Sequence, residues 1–223
     1  MRRQAQPPAE PSARIRRAIA TLVLAIGATT MTACTPAVPS GEALYAEAES
    51  NYLRYRGFVN ELQSSLSTQP WRIGQLGSYG MQPSECDGPG TYQFRLDRAV
   101  QLDAAQRVEY ADTVESFLND KGMTPSRGTL GSDSQEGQLI QVKVRDEGDF
   151  ELLLIEIGKT GDVLISARTA CWPGDRAELS ERLFGGVYLG DGYLPVDTES
   201  PTDPLFFGIT PGDPQFVRET PSP

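Results

Sequence analysis

Residues 138–172 constrain the fold most. Ile140, Val142 and Val144 alternate with Gln141, Lys143 and Arg145, which is the two-residue period of a strand with one buried face. The turn Asp146-Glu147-Gly148-Asp149 leads into Phe150-Glu151-Leu152-Leu153-Leu154-Ile155-Glu156-Ile157, and Gly158-Lys159-Thr160-Gly161 leads into Val163 to Trp172. Three β-rich runs joined by two short glycine turns predict an antiparallel meander. The middle run is apolar on both faces, as expected of an interior strand. Cys171 falls in phase with Val163, Ile165, Ala167 and Thr169.

A sheet with one greasy face needs a cover, and two stretches upstream supply it. Leu44, Ala48, Tyr52, Tyr55, Val59, Leu62 and Leu66 recur at three- and four-residue spacing, predicting a helix over 42–67, about 40 Å long at 1.5 Å per residue, capped by Ser40 or Gly41. A second helix starts at Asp103, with Gln106 three residues on as a capping box. It buries Val108, Ala111, Val114, Phe117 and Leu118 and stops at Lys121-Gly122. Between them, 68–90 holds three prolines and five glycines and reads as irregular, with at most one short strand around Trp71 to Leu76. Tyr92, Phe94 and Leu96 alternate as a strand. Met123 to Leu130 is a further candidate strand and Arg176 to Phe184 a short helix. From Pro195 there are seven prolines in 29 residues, which predicts an extended tail over 195–223, interrupted by Leu205-Phe206-Phe207. That trio reads as docking back on the domain, with a docking motif for another molecule as the alternative. The expected fold class is therefore α+β: an antiparallel meander packed against two helices as a two-layer sandwich over 42–194.

The first 34 residues have a different character. Five arginines (Arg2, Arg3, Arg14, Arg16, Arg17) precede an apolar run of about a dozen residues within the stretch Ala18 to Cys34, in the order a secretion machinery reads. The run is short of the roughly 20 residues a membrane-spanning helix needs. It closes on Met31-Thr32-Ala33-Cys34, small residues before a cysteine, which resembles the lipobox of bacterial lipoproteins. That resemblance implies removal of 1–33 as a signal peptide, leaving Cys34 as the first residue with a diacylglyceryl thioether carrying palmitate, and a tether over 34–41 in which Pro36 and Pro39 prevent helix. An ordinary signal peptide with Cys34 as a chance thiol, and an uncleaved anchor, are the competing readings. The export route, general or twin-arginine, stays open.

Processing before Cys34 leaves 190 residues, enough for one domain with its own core. It removes five arginines and one glutamate, so the formal charge moves from −10 to −14, with 15 basic and 29 acidic residues remaining. Such a chain is repelled by phosphate backbones, and nucleic acid is not expected as a partner. With Cys34 acylated, Cys86 and Cys171 remain as a pair in an oxidising compartment, where a disulfide is expected. Two separate buried thiols or a redox pair are the alternatives, the last without any Cys-x-x-Cys.

Catalytic equipment is sparse. Histidine is absent, which removes the commonest general base and metal ligand. No Ser-x-x-Lys, Gly-x-Ser-x-Gly or Walker-type spacing occurs. No cofactor, metal or catalytic residue is expected. Carboxylate pairs such as Glu151 with Glu156 or Asp97 with Asp112 are the only means by which a glycosidase could be built. The loop holding Asp133 and Glu136 lacks the oxygen pattern of a Ca²⁺ loop. Trp71 and Trp172 read as core aromatics before sugar platforms.

The order of features over the whole exported chain resembles small actinobacterial lipoproteins of the LppA-like type: lipobox cysteine, first amphipathic helix, a tryptophan, a cysteine before a strand, a helix ended by Lys-Gly, a meander whose last strand carries the second cysteine, and a proline-rich tail. The resemblance implies a disulfide-bridged α+β domain lipid-anchored on the outer face of the cytoplasmic membrane, and no activity. The expected role is non-enzymatic binding or support of an unidentified envelope protein. A carrier of a lipid or other apolar ligand is the alternative, and an envelope hydrolase a distant third.

Overall fold

The computed structural model describes residues 37–74, 79–132, 134, 137–185 and 198–202. These belong to one compact unit that begins at Ala37. In chain order they form α1 (Gly41–Leu66), β1 (Trp71–Ile73), β2 (Tyr79–Ser84), β3 (Thr91–Gln101), a 3₁₀ turn (Ala104–Gln106), α2 (Arg107–Asp120), β4 (Ser126–Leu130), β5 (Leu139–Glu147), β6 (Phe150–Gly158), β7 (Asp162–Thr169), β8 (Trp172–Pro173), α3 (Arg176–Phe184) and β9 (Thr198–Glu199). The fold is α+β with an antiparallel sheet, the expected class, and Cys86 is bonded to Cys171.

The meander stands as predicted. Sheet order runs β4-β5-β6-β7-β3-β1-β9, so the doubly apolar run is indeed the interior strand β6. Registers such as Val142↔Ile155 and Ile155↔Ile165 line Ile140, Val142, Val144, Leu153, Ile155, Ile157, Val163 and Ile165 on one buried face. The β6–β7 turn depends on Gly161. It sits at φ +89°, and a Cβ there would lie 2.2 Å from the Leu102 carbonyl oxygen. At the other hairpin, Asp149 accepts two hydrogen bonds of 3.0 Å from Arg54, fastening the turn to α1.

The helices cover that face. Tyr52 and Tyr55 of α1 pack on Phe94 of β3, centroid to centroid 5.6 Å in both cases. Phe58 meets Phe117 of α2 at 5.3 Å and Phe150 of β6 at 5.1 Å. Ala111, Val114 and Leu118 of α2 are fully buried. The third helix, α3, buries Leu179 and Leu183 and is capped by Asp175, whose side chain accepts from the Ala177 and Glu178 amides.

Several local expectations need correction. Val108 is 55 % exposed and lies off the apolar face of α2, because the first turn after Asp103 is 3₁₀ and α-helical phase is established only from Arg107. Asp103 does cap that turn, accepting from the Ala105 amide, but Gln106 does not close a box; its side chain accepts from the Tyr110 hydroxyl. Ser40 makes no side-chain cap to α1; Glu178 of α3 takes the Gly41 amide instead, at 2.6 Å. The run from Val163 breaks at Ala170 and Cys171, so the disulfide joins the gap between β7 and β8 to the loop between β2 and β3. The segment 68–90 contains a second strand, β2, despite Pro83. Proline is tolerated because β2 lies at the sheet margin, pairing with β3 alone through a register shift between Tyr79 and Pro83. Finally, the tail predicted over 195–223 as extended and not packed does carry a packed element: Thr198 and Glu199 pair with Arg72 and Trp71 as β9. Leu205-Phe206-Phe207 and the tether at 34–36 lie outside the described residues.

Candidate functional site

Two features go beyond ordinary packing: a charge cluster inside the domain and an uncovered face outside it.

The cluster follows from two arginines in apolar phase. Arg56 follows Tyr52 by one helical turn on the stripe of α1, and Arg98 continues the inward series Tyr92, Phe94, Leu96 of β3. Both are buried, at 3 % and 0 % exposure. Their partner is Glu199, whose Oε1 accepts from Arg56 Nη2 at 2.7 Å and Arg98 Nε at 2.5 Å. Arg98 also donates to the backbone carbonyls of Tyr79, at 2.7 Å, and Asp97, at 2.9 Å. Burial on its own raises the Glu199 pKa, but the two guanidiniums outweigh it and hold the carboxyl below its ordinary value. Burial lifts the neighbouring Tyr52 and Tyr55 phenols, so both stay protonated at neutral pH and neither supplies a phenolate. Two cations share one anion, and Arg56 Nε, Arg56 Nη1 and Glu199 Oε2 have no hydrogen-bond partner among the described residues. The cluster is structural: it locks a two-residue strand from the C-terminal region onto β1.

The second feature is the other side of the same sheet, a face that no element among the described residues covers. Arg145, Leu152, Arg168 and Arg95 form one cross-strand row; Lys143, Leu154, Ser166 and Asp97 form the next; Gln141, Glu156, Leu164 and Ala99 the third. All are exposed or half-buried. A shallow depression of about 310 Å³ lies among Arg95, Asp97, Leu152, Leu154, Ser166 and Arg168.

The residues singled out from sequence fall as follows. Cys34 lies outside the described residues; Cys86 and Cys171 are bonded, with Cα atoms 6.0 Å apart. Glu151 pairs with Arg168 at 3.1 Å and Glu156 accepts from Gln141 at 2.7 Å. Five residues along one strand put their Cα atoms about 16 Å apart, and each carboxylate is engaged by a different partner, not set facing the other at the roughly 5–9.5 Å a glycosidase uses. Asp97 is on the uncovered face, while Asp112 is on α2 with Arg127, across the sheet. Neither pair converges. Asp133 and Glu136 lie outside the described residues, and among those described no group of three acidic or cysteine side chains is placed to hold a metal. Trp71 is fully buried, its indole donating to the Ser67 carbonyl at 3.1 Å, and Trp172 packs on Tyr92 and Phe94 at 5.8 and 6.1 Å. Trp71 is a core residue, and Trp172 is half-buried against the core. Among the described residues, no helix is long and apolar enough to cross a membrane.

No protein-family model, curated protein or solved structure matches the chain.

Proposed function

We propose that this chain is an extracytoplasmic lipoprotein, held to the cell membrane through acylated Cys34, whose domain serves a non-enzymatic binding or supporting role at the envelope, as the likeness to the LppA-like type implies. The observation that carries this reading is the partition of the three cysteines. Cys86 and Cys171 are bonded to each other, a state that oxidising compartments favour, and Cys34 is left as the cysteine that closes the export segment. The described domain starts at Ala37 and its first helix at Gly41, a few residues beyond the acylation point. Two acyl chains anchor a protein stably where one does not, at about 0.8 kcal/mol per buried CH₂.

A surface role accords with the geometry better than a carrier role. The side chains between helices and sheet are packed at 0–4 % exposure from Leu44 through Val59 to Leu118, and aromatic rings fill the centre. The depression of about 310 Å³ lies instead on the uncovered face, and a larger one of about 550 Å³ lies beside the disulfide, among Asp87, Asp146, Phe150 and Cys171. The test is detergent phase partition of protein expressed in a bacterial host that processes lipoproteins. Wild-type protein is expected in the detergent phase and Cys34→Ala in the aqueous phase; partition of both into the aqueous phase contradicts the proposal.

A further inference from the structure

The start of α1 is held by another element. Ser40, at the N-cap position, makes no side-chain cap, and Gly41 enters the helix at φ +60°. The Gly41 amide donates instead to Glu178 Oε1 of α3, at 2.6 Å. One residue on, Glu42 accepts from Arg182 Nη1 at 2.8 Å, and Arg182 Nε lies 3.7 Å from Glu178 Oε1. A serine at this position ordinarily satisfies a free amide within its own segment. Here the amide is satisfied from 137 residues away, which ties the direction of the entering chain to α3. Leu179 and Leu183 are fully buried, so α3 is itself fixed in the core.

The contacts also show which end of the domain this is. Gly174 packs on Leu44 in the first turn of α1, so closely that a Cβ would fall 2.3 Å from Leu44 Cδ1, and its amide donates to the Gly90 carbonyl at 2.8 Å. Cys86 of the disulfide is beside Thr91. Thus α3, β8, the first residues of β3 and the disulfide gather at the N-terminal end of α1. The far end is marked by Gln69, which donates to the carbonyl of Gln101, the last residue of β3, at 3.0 Å. The 26 residues of α1 separate the two ends by about 39 Å. Cys34 precedes Gly41 by seven residues, a span of at most about 25 Å. The tether is shorter than the helix it feeds, so an anchor at Cys34 cannot serve the far end.

Charge does not do the orienting. Together α3, its cap and the first turn of α1 carry Glu42, Asp175, Glu178 and Glu181 against Arg176 and Arg182, which offers an anionic bilayer no attraction. We propose that the end formed by α3, β8 and the N-terminus of α1 is the membrane-facing surface of the domain, with Glu178 and Arg182 clamping the entering chain so that this end stays turned to the lipid headgroups. The inference rests on acylation of Cys34 and adds the orientation that follows from it. The opposite end, with Gln69, Gln101 and the Gly161 turn, then points away from the bilayer.

The experiment uses the full-length acylated protein, extracted from membranes and reconstituted in phosphatidylcholine vesicles that carry a headgroup-linked acceptor dye. A donor dye is clicked onto azidophenylalanine in place of Ala177 on α3 or of Thr68 beyond the C-terminus of α1, both exposed. Energy transfer from position 177 is expected to exceed that from position 68 by about threefold or more, and to stay so when phosphatidylglycerol replaces part of the phosphatidylcholine. Glu178→Ala with Arg182→Ala opens the clamp and should cut that ratio about twofold; these ion pairs are partly exposed, so the fold is expected to survive. Lengthening the tether by about ten Gly and Ser residues after Thr35, which leaves the described domain untouched, should bring the ratio close to one. Equal transfer from the two positions on vesicle-bound wild type overturns the orientation, and so does a ratio that the open clamp or the longer tether leaves unchanged. Wild-type protein that does not enter the vesicles at all refutes acylation itself, and the orientation falls with it.

Discussion

Replacing Glu199 by alanine removes the one carboxylate that two buried guanidiniums share. Arg56 and Arg98 are 3 % and 0 % exposed and lie 2.7 and 2.5 Å from the same Oε1, so neither can recover its hydration without opening the core. Breaking a buried pair by deleting one partner costs about 3–5 kcal/mol, and here two guanidiniums lose the carboxylate they share. For a chain of this length that corresponds to a fall in Tm of about 6–20 °C, at roughly 2–4 °C per kcal/mol. The strand that carries Glu199 has two residues, too few to hold β1 unaided, so Thr198–Thr202 should lose hydrogen-exchange protection along with the global change. Denaturant unfolding of Glu199→Ala measures the first effect, and exchange mass spectrometry the second. Removing all three charges, with Arg56→Met, Arg98→Met and Glu199→Leu, should restore most of the loss, since the desolvation cost disappears with the ions. A Glu199→Ala loss below about 1 kcal/mol would refute the reasoning, because no buried charge of this kind is released so cheaply.

Acid titration tests the same cluster by another route. The folded Glu199 carboxyl lies below its ordinary value of 4.5, so its contribution is complete above that value and disappears as pH falls through the folded pKa; the stability gap between wild type and Glu199→Gln should narrow below about pH 4.5. Cys86→Ser with Cys171→Ser opens a loop with sequence separation 85 and should cost about 4–5 kcal/mol in denaturant unfolding, a loss that dithiothreitol reproduces in wild type but not in the variant. Gly161→Ala, forced to φ +89° and against the Leu102 carbonyl, should lower stability by about 1–3 kcal/mol. Arg54→Ala, whose partner Asp149 is a half-exposed turn residue, should change it by no more than about 1 kcal/mol.

Much of the fold was legible because periodicity reports burial directly. The alternation in β5, β6 and β7 and the stripe of α1 each need only nearest neighbours in sequence to be read. The misreadings of β2 and of the tail share a cause, which is dependence on a distant partner. β2 looks irregular because Pro83 and Gly80 weaken its local signal, and it exists because β3 offers it an edge. Thr198 and Glu199 sit in a proline-rich stretch with no strand pattern, and only the pull of Arg56 and Arg98, 143 and 101 residues away, sets them in the sheet. A signal was present: each arginine lies in phase with buried aromatics, and a cation at such a position demands an anion from elsewhere. Its identity could not be read from 30 acidic residues. The uncovered face was half legible, since Leu152 and Leu154 extend the apolar character of β6 beyond what one core face requires, but the pairing of Arg95 with Arg168 arises only from register.

The claim on which the functional account rests is chemical and concerns residue 34. Intact mass spectrometry of protein extracted from membranes measures it directly. The account predicts a chain beginning at Cys34, two hydrogens lighter for the Cys86–Cys171 bridge and heavier by a diacylglyceryl group with or without a further acyl chain. A mass that retains residues 1–33, or a chain starting at or after Cys34 with no added lipid, would contradict it.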